Sequence, residues 1–105
     1  MKGRSVIAQR LREARVRSGL SQKKLGILAG IDEFSASARI NQYERGKHSP
    51  EFNTVERLAK VLGTPTPYFY CRDDDLAEWI LRYSQDVIPK KGVNRKRATG
   101  RLGQD

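Results

Sequence analysis

Apolar residues recur at every third or fourth position along most of this chain, in short runs separated by glycine or proline. This spacing is typical of amphipathic α-helices, and no stretch alternates for long enough to indicate a strand. The sequence therefore predicts an all-α fold. The first helix is predicted over 6–17, with Ile7, Leu11 and Ala14 on its buried face and Gly19 beyond its end. Its other faces carry four arginines, Arg10, Arg12, Arg15 and Arg17.

A second, shorter helix is predicted to follow Ser21, whose hydroxyl can accept a hydrogen bond from an unpaired amide of the first turn. Its apolar positions, Leu25, Leu28 and Ala29, again have helical spacing. Gly30 is suited to end this helix, because glycine adopts the left-handed conformation at little steric cost.

A third helix is predicted over 36–45, with Ser35 as its N-cap, Ile40 and Tyr43 facing inward, and Gly46 ending it. Its outward positions are small or able to form hydrogen bonds, which suits a helix that lies in the major groove of DNA. These outward residues are Ser37, Ala38, Arg39, Asn41 and Gln42.

The second half of the chain predicts two longer helices joined by a short one. The fourth helix is expected over 52–62, ended by Gly63, and two prolines then force an extended turn before a helical turn over 68–70. Its inward residues are Phe52, Val55, Leu58, Ala59 and Leu62. Acidic residues 73–75 open a last helix, because negative charge complements the amide end of the helix dipole. That helix continues through Leu76, Trp79, Ile80 and Tyr83.

Three segments of this pattern carry a family resemblance: Leu20-Ser21-Gln22, Tyr43-Glu44-Arg45-Gly46-Lys47 with Pro50 after it, and the run over 54–63. Together they resemble the helix-turn-helix of the Cro and phage-repressor family of transcriptional regulators. The resemblance implies a compact bundle of five to six helices of the lambda-repressor-like, DNA-binding type. One departure is Ile31-Asp32-Glu33-Phe34-Ser35, which is expected to lengthen the connection between the second and third helices by about four residues. This departure indicates a subgroup of the family.

Charge is divided unevenly along the chain, whose formal net charge is +9. Residues 1–50 carry +7, residues 51–88 carry −3 and residues 89–105 carry +5. A basic first half favours a polyanionic partner, most simply double-stranded DNA, on the side of the predicted helix-turn-helix. We expect a domain over 1–88 and a disordered basic tail over 89–105, which either wraps DNA as an arm or is a solvated appendage.

The chemistry of the chain gives little support to catalysis. It has one histidine, no spacing of metal ligands and no glycine-rich phosphate loop, so we expect neither an enzyme nor a cofactor or metal. Cys71 is the only cysteine and is expected to be a buried or half-buried apolar residue in a reducing cytoplasm. No signal peptide or membrane span is expected. The family resemblance implies a cytoplasmic regulator that is bacterial or phage-encoded and associated with the nucleoid.

The resemblance also implies roles for individual residues. The outward residues Ser37, Ala38, Arg39, Asn41 and Gln42 are expected to contact bases, with Ala38 limited to the methyl group of thymine. Phosphate contacts are expected from Gln22, at the start of the second helix, and from the adjacent Ser21, Lys23 and Lys24. Lys47, after the third helix, is expected to add another. Arg15 and Glu44 are expected to form a structural ion pair that fixes the angle of the third helix.

The last helix leaves two interpretations open. Trp79, Ile80 and Tyr83 either cover the core or form the seam of a dimer that would act as a repressor at an operator. An alternative function is an antitoxin, which would bind a toxin protein through this acidic, aromatic segment and repress its own operon.

Overall fold

The computed structural model describes residues 5–86, which form five α-helices and one 3-10 helix. The α-helices are α1 (Val6–Ser18), α2 (Gln22–Leu28), α3 (Glu33–Glu44), α4 (Phe52–Leu62) and α5 (Asp74–Asp86), and the 3-10 helix covers Thr66–Tyr70. Between residues 5 and 86 there is no strand, and the prediction of an all-α bundle is confirmed. The predicted tail over 89–105 lies outside the described residues.

Most of the predicted helix boundaries are set by the expected local contacts. The Ser21 hydroxyl accepts a hydrogen bond from the Lys24 amide at 2.9 Å and so begins α2. The Asp73 carboxylate accepts one from the Leu76 amide at 3.0 Å and begins α5 in the same way. Gly63 ends α4, as predicted, and it does so in the left-handed conformation.

The start of α3 differs from the prediction. Asp32 is the N-cap, because its carboxylate accepts a hydrogen bond from the Phe34 amide at 3.0 Å, and Ser35 lies inside the helix. The connection between α2 and α3 is therefore the four residues 29–32, and the predicted lengthening of this connection was wrong. The additional residues form another helical turn at the N-terminus of α3, which runs for 12 residues.

The core is formed by buried side chains from all five α-helices and the 3-10 helix. Its largest fully buried side chains are Leu11, Leu25, Ile40, Val55, Leu58 and Phe69. Two residues predicted to face inward are instead exposed: Leu28, the last residue of α2, and Phe52, the first of α4. Phe52 lies beside Tyr70, with ring centroids 6.0 Å apart. Cys71 is half-buried, as expected.

Helices α2 and α3 approach each other closely at Gly26, which is buried. A Cβ atom at this position would lie 2.7 Å from the Ala36 Cβ and 3.1 Å from the Ala36 backbone oxygen. Real Cβ contacts are essentially never so short. The two helices can therefore cross at this distance only because one has no side chain and the other has a methyl group.

Arg10 was predicted to lie on an exposed face of α1, but it is only 5% exposed. Its guanidinium donates to the Cys71 carbonyl at 2.8 and 3.0 Å, to the Arg72 carbonyl at 3.3 Å and to the Asp74 carboxylate at 3.0 Å. It also lies over the Tyr68 ring, 5.4 Å from the centroid. Burial alone would lower the pKa of Arg10, but the Asp74 hydrogen bond and nearby charges raise it, so the side chain stays charged. Arg10 thus joins α1 to the start of α5.

Candidate nucleic-acid interface

A polar network joins α1 to the two helices of the helix-turn-helix, α2 and α3. Arg15 on α1 donates to the two carboxylate oxygens of Glu44 at 2.5 and 3.1 Å and to the Leu20 carbonyl at 2.9 Å. Gln22 on α2 donates to Glu44 at 3.1 Å. Glu44, at the end of α3, is only 7% exposed. The Arg15–Glu44 pair that the resemblance implied is therefore present, and Gln22 belongs to the same network.

This network fixes the orientation of α3. A paired and hydrogen-bonded carboxylate is tolerated in a buried position, whereas removal of one partner would leave a buried charge without compensation. The bidentate geometry of an arginine–carboxylate pair also restricts the angle between the two side chains. Since α1, α2 and α3 each supply one of its side chains, rotation of α3 would break contacts to both other helices.

A phosphate contact through its side chain would suggest that Gln22 is freely exposed, but this side chain is held by bonds within the protein. Its side-chain amide donates to Asn41 at 3.3 Å as well as to Glu44, and the residue is half-buried. As the first residue of α2, however, it also brings a backbone amide of the kind that a helix leaves unpaired. The backbone of Gln22 is thus the group better placed for an anion than its side chain.

The outward face of α3 contains the predicted base-reading residues. Ser37, Ala38 and Arg39 are exposed, while Asn41 and Gln42 are half-buried. Phe34 lies one turn before Ala38 on this face and is 94% exposed. Sequence reasoning missed Phe34 because it placed this residue in the connection, although the Asp32 carboxylate two positions earlier was a signal for an earlier helix start.

Several basic side chains of α1, α2 and the turn after α3 are exposed. Lys23 and Lys24 are exposed at the start of α2, and Lys47 is exposed just after α3. Arg12 on α1 and Arg45 after α3 are also exposed, and they line an open cleft with Arg15, Gln22, Asn41 and Glu44. Sequence analysis did not assign a role to Arg12 or Arg45, because only the packing of α1 against α3 brings them to the same cleft.

The three candidate residues of the dimer seam do not share one environment. Ile80 packs against the core, whereas Trp79 is 63% exposed and Tyr83 is exposed as well. Leu76 is a third exposed apolar residue of α5, three positions before Trp79. The Arg82 guanidinium lies 5.2 Å from the centroid of the Trp79 ring.

No group of three or more His, Cys, Asp or Glu residues between 5 and 86 is arranged to hold a metal ion. None of the helices in that range is both long and apolar enough to cross a membrane.

Comparisons with known proteins agree with this geometry. A family profile described as a helix-turn-helix domain matches residues 6–67. Two relatives, in Escherichia coli (strain K12) and Shigella flexneri, are both described as HTH-type transcriptional regulator PuuR and are 30% identical over 84 residues. These matches cover 80% of this chain but 43% of each relative, so the chain spans less than half of their length.

A solved structure, described as the crystal structure of transcriptional regulator BswR, is 60% identical to this chain. The two structures superpose with a TM-score of 0.70 over 73% of this chain and 76% of that one. The relatives of this chain are thus described as transcriptional regulators, a non-enzymatic kind of protein. The family match, the relatives and the α2–turn–α3 geometry lead to one conclusion: this chain belongs to the helix-turn-helix family of transcriptional regulators, a family that binds DNA.

Proposed function

We propose that this regulator recognises a specific double-stranded DNA site and represses transcription by occupying an operator as a dimer. The observation that carries the proposal is the outward face of α3, which is exposed on a helix that Arg15, Gln22 and Glu44 hold in one orientation. A helix can read base edges only if its angle to the groove is fixed, because each hydrogen bond to a base needs a defined direction.

Base readout in this proposal comes from α3. Arg39 can pair with guanine, and Gln42 or Asn41 with adenine, because these side chains match the donor and acceptor patterns of those bases in the major groove. Ser37 offers a hydroxyl that either donates or accepts. Ala38 contributes only apolar contact.

Phosphate contacts in this proposal come from both ends of the helix-turn-helix. Lys23, Lys24 and Lys47 supply charge, while Ser21 and Gln22 bring the first turn of α2 to the DNA backbone. Such contacts position the protein without reading sequence, and they make its affinity fall as salt rises. The exposed arginines of the neighbouring cleft add to the same attraction.

The dimer in this proposal forms through α5. Leu76, Trp79 and Tyr83 leave apolar surface exposed on an acidic part of the chain, where DNA binding is disfavoured and contact with protein is favoured. A twofold pair of reading helices would match two half-sites about one turn of DNA apart.

The test is a binding titration of the purified chain on DNA upstream of its own gene and on random duplex, across a series of salt concentrations. We expect a preference for the specific DNA that persists at about 150 mM salt, because base contacts survive when the charge contribution is screened. Binding should occur in steps of two protomers. A repressor should also lower transcription from that promoter in a purified system.

Equal binding to both duplexes that disappears with salt would contradict the proposal. A stable complex with the product of a neighbouring gene, formed through α5, would instead favour the antitoxin function. A fluorescent promoter duplex and sedimentation of the same samples separate these outcomes.

A further inference from the structure

Phe34 is an apolar residue whose exposure the fold does not explain. Its side chain is 94% exposed, whereas the other exposed large hydrophobic residues of the described chain range from 40% to 63%. The backbone of Phe34 is nevertheless held in place, because its amide donates to the Asp32 carboxylate in the first turn of α3. The ring therefore projects from an ordered helical turn.

The position of Phe34 on α3 places it within the reading face. Residues three, four and seven apart lie along one side of a helix, so Phe34, Ala38 and Asn41 form one line. The buried residues Ala36, Ile40 and Tyr43 mark the opposite side. Phe34 and Ala38 thus form a continuous apolar strip, about 6 Å long at 1.5 Å per residue, on the most outward part of the helix.

The major groove offers one apolar feature to such a strip. Nearly all other groups on its floor are hydrogen-bond donors or acceptors, whereas the C5-methyl group of thymine is apolar. A methyl group on C5 of cytosine has the same chemistry at the same ring position. A strip of about 6 Å corresponds to about two base pairs at 3.4 Å each.

The charges beside Phe34 also favour the bases over the DNA backbone. Asp32 and Glu33 are exposed and acidic, so phosphate groups would repel this turn of the helix. Base edges do not, since carboxylates can accept a hydrogen bond from the amino group of cytosine. A second copy of the chain is a weaker fit for the strip, because α5 exposes three large apolar residues, Leu76, Trp79 and Tyr83, whereas the strip has one large ring and one methyl group.

We propose that Phe34 and Ala38 together contact the C5-methyl groups of pyrimidines in the major groove, and that Phe34 selects a methylated pyrimidine beyond the bases read by the rest of α3. This inference rests on the proposed function. It assigns a specificity role to the helical turn that α3 gains at its N-terminus.

The experiment uses a duplex that the full chain has selected from a pool of random double-stranded oligonucleotides. Each thymine of this duplex is replaced in turn by uracil, which removes only the methyl group. Affinity is measured for the wild-type chain, for Phe34→Ala and for the matched control Phe52→Ala, an exposed phenylalanine on α4. Circular dichroism and sedimentation of each variant report its fold and its oligomeric state.

At one or two positions, uracil should weaken wild-type and Phe52→Ala binding about 3- to 10-fold, as expected for the loss of one buried methyl group. At the position that Phe34 contacts, the same replacement should leave Phe34→Ala unchanged, since the ring is already absent, whereas a position contacted by Ala38 should still respond. Placing 5-methylcytosine or cytosine at the position that Phe34 contacts distinguishes the two sources of the methyl group. A higher affinity for 5-methylcytosine would extend the role to methylated DNA, and equal affinities would restrict it to thymine.

Two results would overturn the inference. One is a wild-type chain that binds the selected duplex specifically but tolerates uracil everywhere, which leaves the proposed function intact. The other is a Phe34→Ala chain that changes its oligomeric state, which would make the strip a protein contact. A wild-type chain with no preference for any duplex would instead reject the proposed function, and this inference with it.

Discussion

Arg39 and Lys47 both carry positive charge on the side of the helix-turn-helix, but they are expected to act in different ways. Arg39→Ala and Gln42→Ala should each weaken binding to the specific site by about 1–3 kcal/mol and alter the preferred base at one position. Lys47→Ala should weaken binding to all sequences alike and reduce the salt dependence. Titrations on specific and random duplexes, for each variant, measure the difference.

A particular result would contradict the placement of α3. If Arg39→Ala and Lys47→Ala had the same effect on both duplexes, Arg39 would be a phosphate contact. The reading face would then be centred on the line of Phe34, Ala38 and Asn41, and Arg39 would lie at its edge.

Individual residues also show how far sequence reasoning could reach. The Arg15–Glu44 pair could be predicted, because the family resemblance supplies both partners. The burial of Arg10 could not be predicted, because its hydrogen-bond acceptors lie 61 to 64 residues away in the chain and two of the three are backbone carbonyls. Nothing in the local pattern around an arginine on a basic helix distinguishes a buried one from an exposed one.

At the scale of elements, the crossing of α2 and α3 depends on Gly26. Alanine is usually the better helix former by about 1 kcal/mol. At this position, however, its methyl group would lie 2.7 Å from the Ala36 Cβ, and overpacking of this kind costs about 1–3 kcal/mol. After the gain in helix propensity is subtracted, Gly26→Ala should destabilise the fold by up to about 2 kcal/mol, which is a fall of up to about 15 °C in the midpoint of thermal unfolding.

The matched test of this crossing is the same substitution in an Ala36→Gly background. Removal of the opposing methyl group should make Gly26→Ala less costly there, since its closest side-chain neighbour is gone. An equal loss of stability in both backgrounds would show that the strain arises elsewhere.

The helices themselves could largely be predicted, but their ends could not all be. α4 was predicted over the range observed, because apolar spacing and Gly63 point to the same element. The start of α3 was misplaced because Ser35 and Asp32 are both acceptable caps and the sequence does not rank them. Phe52 and Leu28 were misplaced for a related reason, since a residue at the end of a helix need not pack like one in its middle.

At the scale of the whole molecule, the aromatic residues of α5 are expected to hold two copies together. Replacement of both Trp79 and Tyr83 by alanine should yield a folded monomer, because neither side chain is buried in the core. Its affinity for a two-half-site duplex should fall much more than its affinity for a single half-site. Sedimentation of this variant beside Phe52→Ala, which should remain dimeric, provides the measurement. A double variant that stayed dimeric would place the seam elsewhere.

The organisation of the molecule was the most predictable level. Charge alone separated a basic segment over 1–50 from an acidic segment over 51–88, and the described parts of both segments proved to be helical. The sequence did not reveal how the two segments are joined, because that joint depends on the burial of one arginine rather than on a run of apolar residues.

The hydrogen bonds of Arg10, which join α1 to the start of α5, have a consequence for the spacing of a DNA target. Arg10 belongs to α1, the helix that is paired with α3, and it donates hydrogen bonds to the residues at the start of α5. If two copies meet through α5, this one side chain sets the distance between their two α3 helices. That distance in turn sets the number of base pairs that must separate the two half-sites of a target. We expect Arg10→Met to keep the preferred bases of each half-site but to relax the gap between them, measured by selection from duplexes with variable central spacers. Mutations remote from DNA could in this way redirect the regulator to differently spaced targets.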